Sequence, residues 1–117
     1  MPTLDDVVKR TAIFVGAEAT GLPLSAEDGD LIKVIARDVI EELALGSVIV
    51  LPDEDDIPQE AVIALSQRIA VDCAAAFGTT MEALARLGIT QFAAEARLRR
   101  VNQDRQSYTF VASSEYF

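Results

Sequence analysis

Gly16, Gly46 and Gly78 cut the chain into segments, and between them aliphatic residues recur every three or four positions. No other feature restricts the fold as much. A period of 3.6 puts such residues on one stripe of a helix, and a residue without a Cβ can end that helix in a tight turn. Leu4, Val7, Val8, Thr11, Ala12 and Val15 predict a first helix over residues 4–15, with Thr3 and Asp6 as a capping pair. The stretch "GAEATGLPLSAEDG", punctuated by glycine and Pro23, reads as a loop. Ser25 and Asp28 cap a second helix over residues 26–45, with Ile32, Ile35, Ala36, Val39 and Leu43 on its stripe. Leu31, Val34 and Ile40 widen that apolar arc, which predicts that helix two is the central, buried one.

The next segment is "GSVIVLPDEDDIP". Its β-branched "SVIVL" predicts a short strand, ended by Pro52 and the acidic run Asp53–Asp56. That run lacks the alternating ligands and glycine turn of a calcium loop, so it reads as a solvated loop. Asp56 is the expected cap of a third helix with Pro58 in its first turn. Val62, Leu65, Ile69, Cys73, Ala76 and Phe77 line one face of it. Thr79 and Glu82 form a capping box for a fourth helix over residues 80–103. Met81, Leu84, Ala85, Gly88, Phe92 and Ala96 share a face there, and Gly88 with Thr90 predicts a kink. The expected fold is all-α: a four-helix bundle-like domain over residues 1–103, an extended loop before helix three, and an extended C-terminal docking tail over residues 104–117.

The chemistry available to this chain is narrow. It contains no His, the side chain that most often serves neutral-pH proton transfer and transition-metal binding. Its one cysteine, Cys73, falls on an apolar stripe and reads as a packed small hydrophobe rather than a nucleophile. A lone cysteine also excludes an internal disulfide framework and fits synthesis in a reducing cytoplasm. The start, "MPTLDDVVKR", lacks the basic-then-apolar order of a signal peptide, and no apolar run reaches the roughly 20 residues needed to span a bilayer. Glu41 and Glu42 point about 100° apart on a helix, and Asp38 with Glu42 is a routine i, i+4 pair on a polar face. The expectation is a non-enzyme with no catalytic residue, no cofactor and no metal.

Charge is unevenly spread. Residues 1–60 hold fourteen acids and four bases, whereas residues 61–117 hold five acids and six bases. An acidic surface of that kind does not grip nucleic acid through its phosphates, although DNA can slide past it without sticking. The basic residues of the second half cluster at Arg97, Arg99, Arg100 and Arg105. They suit the negative end of a helix dipole, or pairing with acids of a neighbouring copy, for which Asp38, Glu41 and Glu42 are the candidates. Four of the seven aromatic residues lie in the last eleven positions, "SYTFVASSEYF". Tyr108 and Phe110 alternate with Thr109, Val111 and Ser113, a strand-like period of two, and Tyr116 and Phe117 end the chain. One short strand cannot make a sheet alone. The tail is therefore expected either to fold back so that Tyr108 and Phe110 cap its own helical core or, as the favoured reading, to dock on a partner by strand addition, with Tyr108, Phe110, Val111, Tyr116 and Phe117 as its anchors.

These segments together resemble a known family. A first helix "LDDVVKRTAIFVGA", a long second helix "DLIKVIARDVIEELALG", an "IP"-type start to the third in "DDIPQEAVIALSQRIAVDCAAAFG", and "ALARLGITQFAAEARLRR" before a tail match the layout of the head-to-tail connector proteins of tailed bacteriophages and gene-transfer particles. These are also called adaptor or head-completion proteins. The resemblance covers essentially the whole chain and rests on helix order and loop placement rather than an invariant motif. It implies a structural virion component made in the host bacterial cytoplasm. Such proteins form a ring, usually of twelve copies, attached to the portal protein at the capsid vertex. The ring extends the DNA channel, passes DNA without specific binding, and offers a platform to the next tail component, a stopper or tail terminator. C-terminal segments of the family commonly embrace the portal. The alternative is a small helical binding module that docks one partner through its aromatic tail, with no ring and no membrane.

Overall fold

The computed structural model describes residues 2–17 and 24–114, with residues 106–114 described by their backbone alone. Every regular element among them is helical: α1 (Leu4–Phe14), α2 (Ala26–Leu45), α3 (Gln59–Cys73), a 3₁₀ turn (Ala74–Phe77), α4 (Met81–Arg86) and α5 (Gln91–Ser114). The all-α bundle expected from the periodicity is present.

The starts of α1 and α2 follow the sequence signals. The Asp6 carboxylate accepts from the Thr3 N–H at 2.9 Å, and Ser25 Oγ accepts from the Asp28 N–H at 3.1 Å. Each satisfies a backbone donor that the helix itself leaves unpaired. The Thr3 backbone bond holds the Asp6 carboxyl below the usual carboxylate range. Two other caps fall elsewhere than expected. Pro58, not Asp56, is the residue before α3. Thr80, not Thr79, caps α4, accepting from the Ala83 N–H at 3.1 Å. Thr79 instead donates to the Val15 carbonyl at 2.6 Å and ties the end of α1 to the start of α4.

The central helix is α3, not α2. Nine of its fifteen residues are buried, among them Leu65, Ile69 and Cys73. The other long helices pack around it. α2 buries only Ile32, Ala36, Val39 and Leu43, one narrow stripe, and leaves Leu31 and Val34 exposed. Ala76, expected on the core face of helix three, is also exposed. Two buried hydroxyls lie at the α1–α3 contact. Thr11 Oγ1 donates to the Val7 carbonyl at 2.9 Å, and Ser66 Oγ donates to the Val62 carbonyl at 2.7 Å. Each bonds within its own helix, so small polar side chains sit at this close approach without an unsatisfied group.

No strand forms at "SVIVL" among the described residues. Val48, Ile49 and Leu51 are nevertheless buried, so the segment is an extended cover over the core. The backbone turns left-handed at Ser47 (φ 58°), while Gly46 keeps a negative φ. The Val48 N–H then closes on the Leu43 carbonyl at 2.9 Å. The Asp53–Asp56 loop is pinned at both ends by α1's entry: the Leu4 N–H donates to the Glu54 carbonyl at 2.7 Å, and the Ile57 N–H donates to the Pro2 carbonyl at 2.9 Å.

The predicted fourth helix is two helices. Gly88 takes a φ of +77°, which a side chain would strain, and the chain leaves α4 there. The break resets the helical phase. Leu84 and Ile89 go inward with Ala74; Phe92 and Ala96, expected on the face of Leu84, lie beyond the break and are exposed, and within the short α4 Leu84 alone is buried, so Met81 and Ala85 are exposed as well. Among the described side chains of α5 the buried positions are Ala94 and Leu98.

The largest departure is at the C-terminal end. The alternation of Tyr108 and Phe110 with Thr109 and Val111 predicts an extended tail from residue 104, but the backbone stays helical to Ser114. The run "VNQDRQS" contains no Gly or Pro to stop α5, and a helix already nucleated on the core propagates residue by residue.

Candidate docking surfaces

A buried cation organises the middle of the molecule. Arg68, on α3, has a side chain only 3 % exposed and meets three carboxylates. Its Nε lies 3.0 Å from Glu95 of α5, its Nη1 3.0 Å from Asp72 of α3, and its Nη2 3.5 Å from Glu42 of α2. Burial pushes the guanidinium's pKa down, but the hydrogen bonds to Glu95 and Asp72 outweigh it, and the net direction is up. One side chain thus links three helices. Its fork of donors suits this, because each nitrogen addresses a different acceptor.

Glu42, one of the acids expected to face another copy, lies 3.5 Å from Arg68 and keeps its side chain 67 % exposed. Asp38 and Glu41 are exposed on the outer side of α2. Arg97 is exposed and donates to Gln67 Oε1 at 3.2 Å. Arg99 is exposed and lies 3.9 Å from Glu95, a loose i, i+4 pair. Arg100 is exposed, and so is Arg105, which has an interaction of its own. The side chains of Tyr108, Phe110 and Val111, and the whole of Tyr116 and Phe117, lie outside the described residues.

Arg68 carried a sequence signal that periodicity alone passes over. Helix three is apolar on nearly every side, with Ala61, Ala64 and Ala70 as well as its main stripe. A helix of that kind is buried all round, so any charge within it must find partners. Asp72, at i+4, was one visible candidate; Glu95 and Glu42 come from other helices.

Two outer faces remain open. On α2, Leu31, Val34, Asp38, Glu41 and Leu45 are all exposed, and Leu45 is 82 % so. On α5, Phe92 is 81 % exposed, and Ala96, Arg99, Arg100 and Gln103 continue its side of the helix. Between the end of α2 and α5 runs a shallow groove of about 480 Å³, walled by Val48, Val50, Arg99 and Asn102. Near the start of α1, a second recess is bridged by Lys33, whose Nζ lies 3.1 Å from Asp5. Arg37 and Glu54 pair beside it at 2.7 Å, and that bond holds the Glu54 carboxyl below its usual range.

Cys73 is fully buried, and burial pushes its thiol up to about 12. It is a core residue. Thiol reagents should therefore label the protein only as it unfolds. In the unfolded chain the thiol titrates near 8.5, so its contribution to stability is complete below that pH and is lost as pH climbs toward 12. Denaturant melts of Cys73→Ala should show a shallower fall in stability above pH 9 than the parent; parallel alkaline limbs would contradict this placement.

Among the described residues, no group of three or more His, Cys, Asp and Glu side chains could hold a metal ion, and no helix is long and apolar enough to cross a membrane. Comparisons with protein-family models, with curated proteins and with solved structures found no match. The physical features of the two outer faces and of α5 are what bear on function.

Proposed function

We propose that the protein is a structural virion component: an adaptor that forms a ring on the portal, extends the DNA channel and joins the capsid head to the tail. The observation that carries this reading is the form of α5. Its last described side chain packed on the core is Val101, yet the helix continues to Ser114. The 24 residues of α5 outrun the 15 of α3, on which it lies, by nine. At 1.5 Å per residue α5 is about 36 Å long, against about 22 Å for α3. A helix of 24 residues that leads into an aromatic-rich end is a segment built to reach another protein. The helical backbone changes the expected mode of docking from strand addition to a helix laid in a groove.

The first three helices and the cover segment before α3 follow the order on which the connector resemblance rests, whereas the fourth helix is divided and the backbone stays helical to Ser114. The acidic first half suits a wall along which DNA passes without binding. In this reading the portal is the first partner, neighbouring copies the second, and the next tail component the third. The protein is assembled at the head–tail interface of the particle, and no step in this role requires a reaction.

The test is complex formation with purified portal rings, read as mass, for the full chain and for a chain lacking residues 107–117. The full chain should add about a dozen copies per portal, the number the resemblance implies. The shortened chain should remain helical, because the described core ends at Val101, and should add none. No complex with any portal, together with a stable monomer at high concentration, would sink the adaptor reading in favour of a module that binds a single partner.

A further inference from the structure

The outer face of α2 has a regular spacing that its own chain does not use. Leu31, Val34, Asp38, Glu41 and Leu45 recur at intervals of three, four, three and four, which is the seam of a helix built to lie along another helix. All five are exposed, and Leu45 is among the most exposed large apolar residues of the chain. The seam is apolar at both ends and acidic in the middle. The outer face of α5 repeats the same intervals in Phe92, Ala96, Arg99 and Gln103, with Arg100 beside them. That seam is aromatic at one end and basic in the middle. It contains a small residue, Ala96, where a facing helix can come close.

We infer that copies of this chain associate by laying the outer face of α2 in one copy against the outer face of α5 in the next. Seven residues separate Asp38 from Leu45, and seven separate Phe92 from Arg99. An antiparallel alignment therefore seats Leu45 on Phe92 and brings Asp38 and Glu41 to Arg99 and Arg100 at the same time. The lengths agree: about 16 Å of α2 from Val34 to Leu45, and about 16 Å of α5 from Phe92 to Gln103. Opposite charge at the centre sets the register, while Leu45 on Phe92 removes two exposed apolar side chains from water. Arg99 is free to take part, because its link to Glu95 is long, at 3.9 Å. Each copy carries both faces, so the contact is between unlike surfaces and can continue from copy to copy. The pairing does not depend on the virion reading, since it needs no portal.

The experiment is a charge swap on the full chain, read by sedimentation over a concentration series. Asp38→Arg with Glu41→Arg makes one variant; Arg99→Glu with Arg100→Glu makes the other. All four positions are exposed, so both variants should keep the parent's helicity. Each alone places like charges across the contact and should associate at least about tenfold more weakly than the parent. An equal mixture of the two restores opposite charge at every contact and should associate again, with the two variants in equal numbers. Should either reversal disturb folding, the milder Asp38→Asn with Glu41→Gln, and Arg99→Gln with Arg100→Gln, should each weaken association as well. The inference is overturned if the parent stays monomeric across the series, if either variant associates as the parent does, or if the mixture stays apart. Failure of portal binding with the charge swap intact would count against the adaptor role and not against this contact.

Discussion

Arg68→Ala is expected to lower the stability of the protein by about 3 kcal/mol. The guanidinium is buried and its three partners come from α2, α3 and α5. Removing it leaves carboxylates that were placed to meet a positive charge. The cost of breaking such a cluster is about 3–5 kcal/mol when the stranded charge cannot reach water. Here Glu42 and Asp72 are 67 % and 39 % exposed and will rehydrate, which places the loss at the low end. Glu95, 19 % exposed, is the group with least access to solvent and should account for most of the penalty. That gives the prediction a second arm. Arg68→Met with Glu95→Gln keeps the volume of the arginine stem and removes the stranded charge, so it should recover most of the lost stability. Denaturant melts of the parent, the single and the double variant decide it. A single variant as stable as the parent would mean that the cluster contributes nothing net.

The cluster also shows what could and could not be read from the chain. Helix order, and the starts of α1 and α2, were legible because caps and glycines act over three or four residues. Thr3 with Asp6 and Ser25 with Asp28 are complete within one turn. The choice of central helix was not legible, because stripe width is ambiguous. Leu31 and Val34 widen the arc of α2 whether they meet a core or another surface, and in the folded chain they meet neither α1 nor α3 closely enough to be buried. The small residues of α3, Ala61, Ala64 and Ala70, were the better sign, since they let other helices approach from several sides. Gly88 was marked as a kink, but a φ of +77° ends a helix rather than bending it, and every face assignment beyond it shifted as a result. The tail shows period and propagation in competition. Four alternating residues suggested a strand, and the absence of any stop signal between α5 and Ser114 let the helix run on.

Of the predicted contact residues, the sequence distinguished acids from bases but not which of these exposed acids also meets a charge of its own chain. Asp38, Glu41 and Glu42 lie within five positions of one another, yet only Glu42 turns toward Arg68. A helix rotates 100° per residue, so neighbours in sequence are separated in space by the packing of the helix as a whole. Once the buried stripe of α2 is fixed by Ile32, Ala36, Val39 and Leu43, the outward heptad from Leu31 to Leu45 follows from geometry.

Leu98→Ala is expected to destabilise the protein by about 3 kcal/mol and to do so in a localised way. Leu98 is fully buried and is the α5 side chain that joins the core cluster among the described residues; Val101 packs against that cluster only partly covered. Truncating it removes the atoms that hold α5 against α3 and leaves a cavity that the small side chain of Ala94 cannot fill. A buried polar attachment, Arg68 on Glu95, sits one turn away on the same helix, with the exposed Arg97–Gln67 bond beside it. Amide exchange should therefore quicken along α5 well before it quickens in α1 or α3, because local opening needs only the contacts of that one helix. The two attachments should also be coupled. If burial of Leu98 is what keeps water from the Arg68–Glu95 pair, then combining Leu98→Ala with Arg68→Ala should cost less than the two losses added together, by at least about 0.5 kcal/mol. Strict additivity would mean that α5 is held by two independent contacts. Coupling would mean that α5 is held by a single dry seam, so that weakening either part of it loosens the helix.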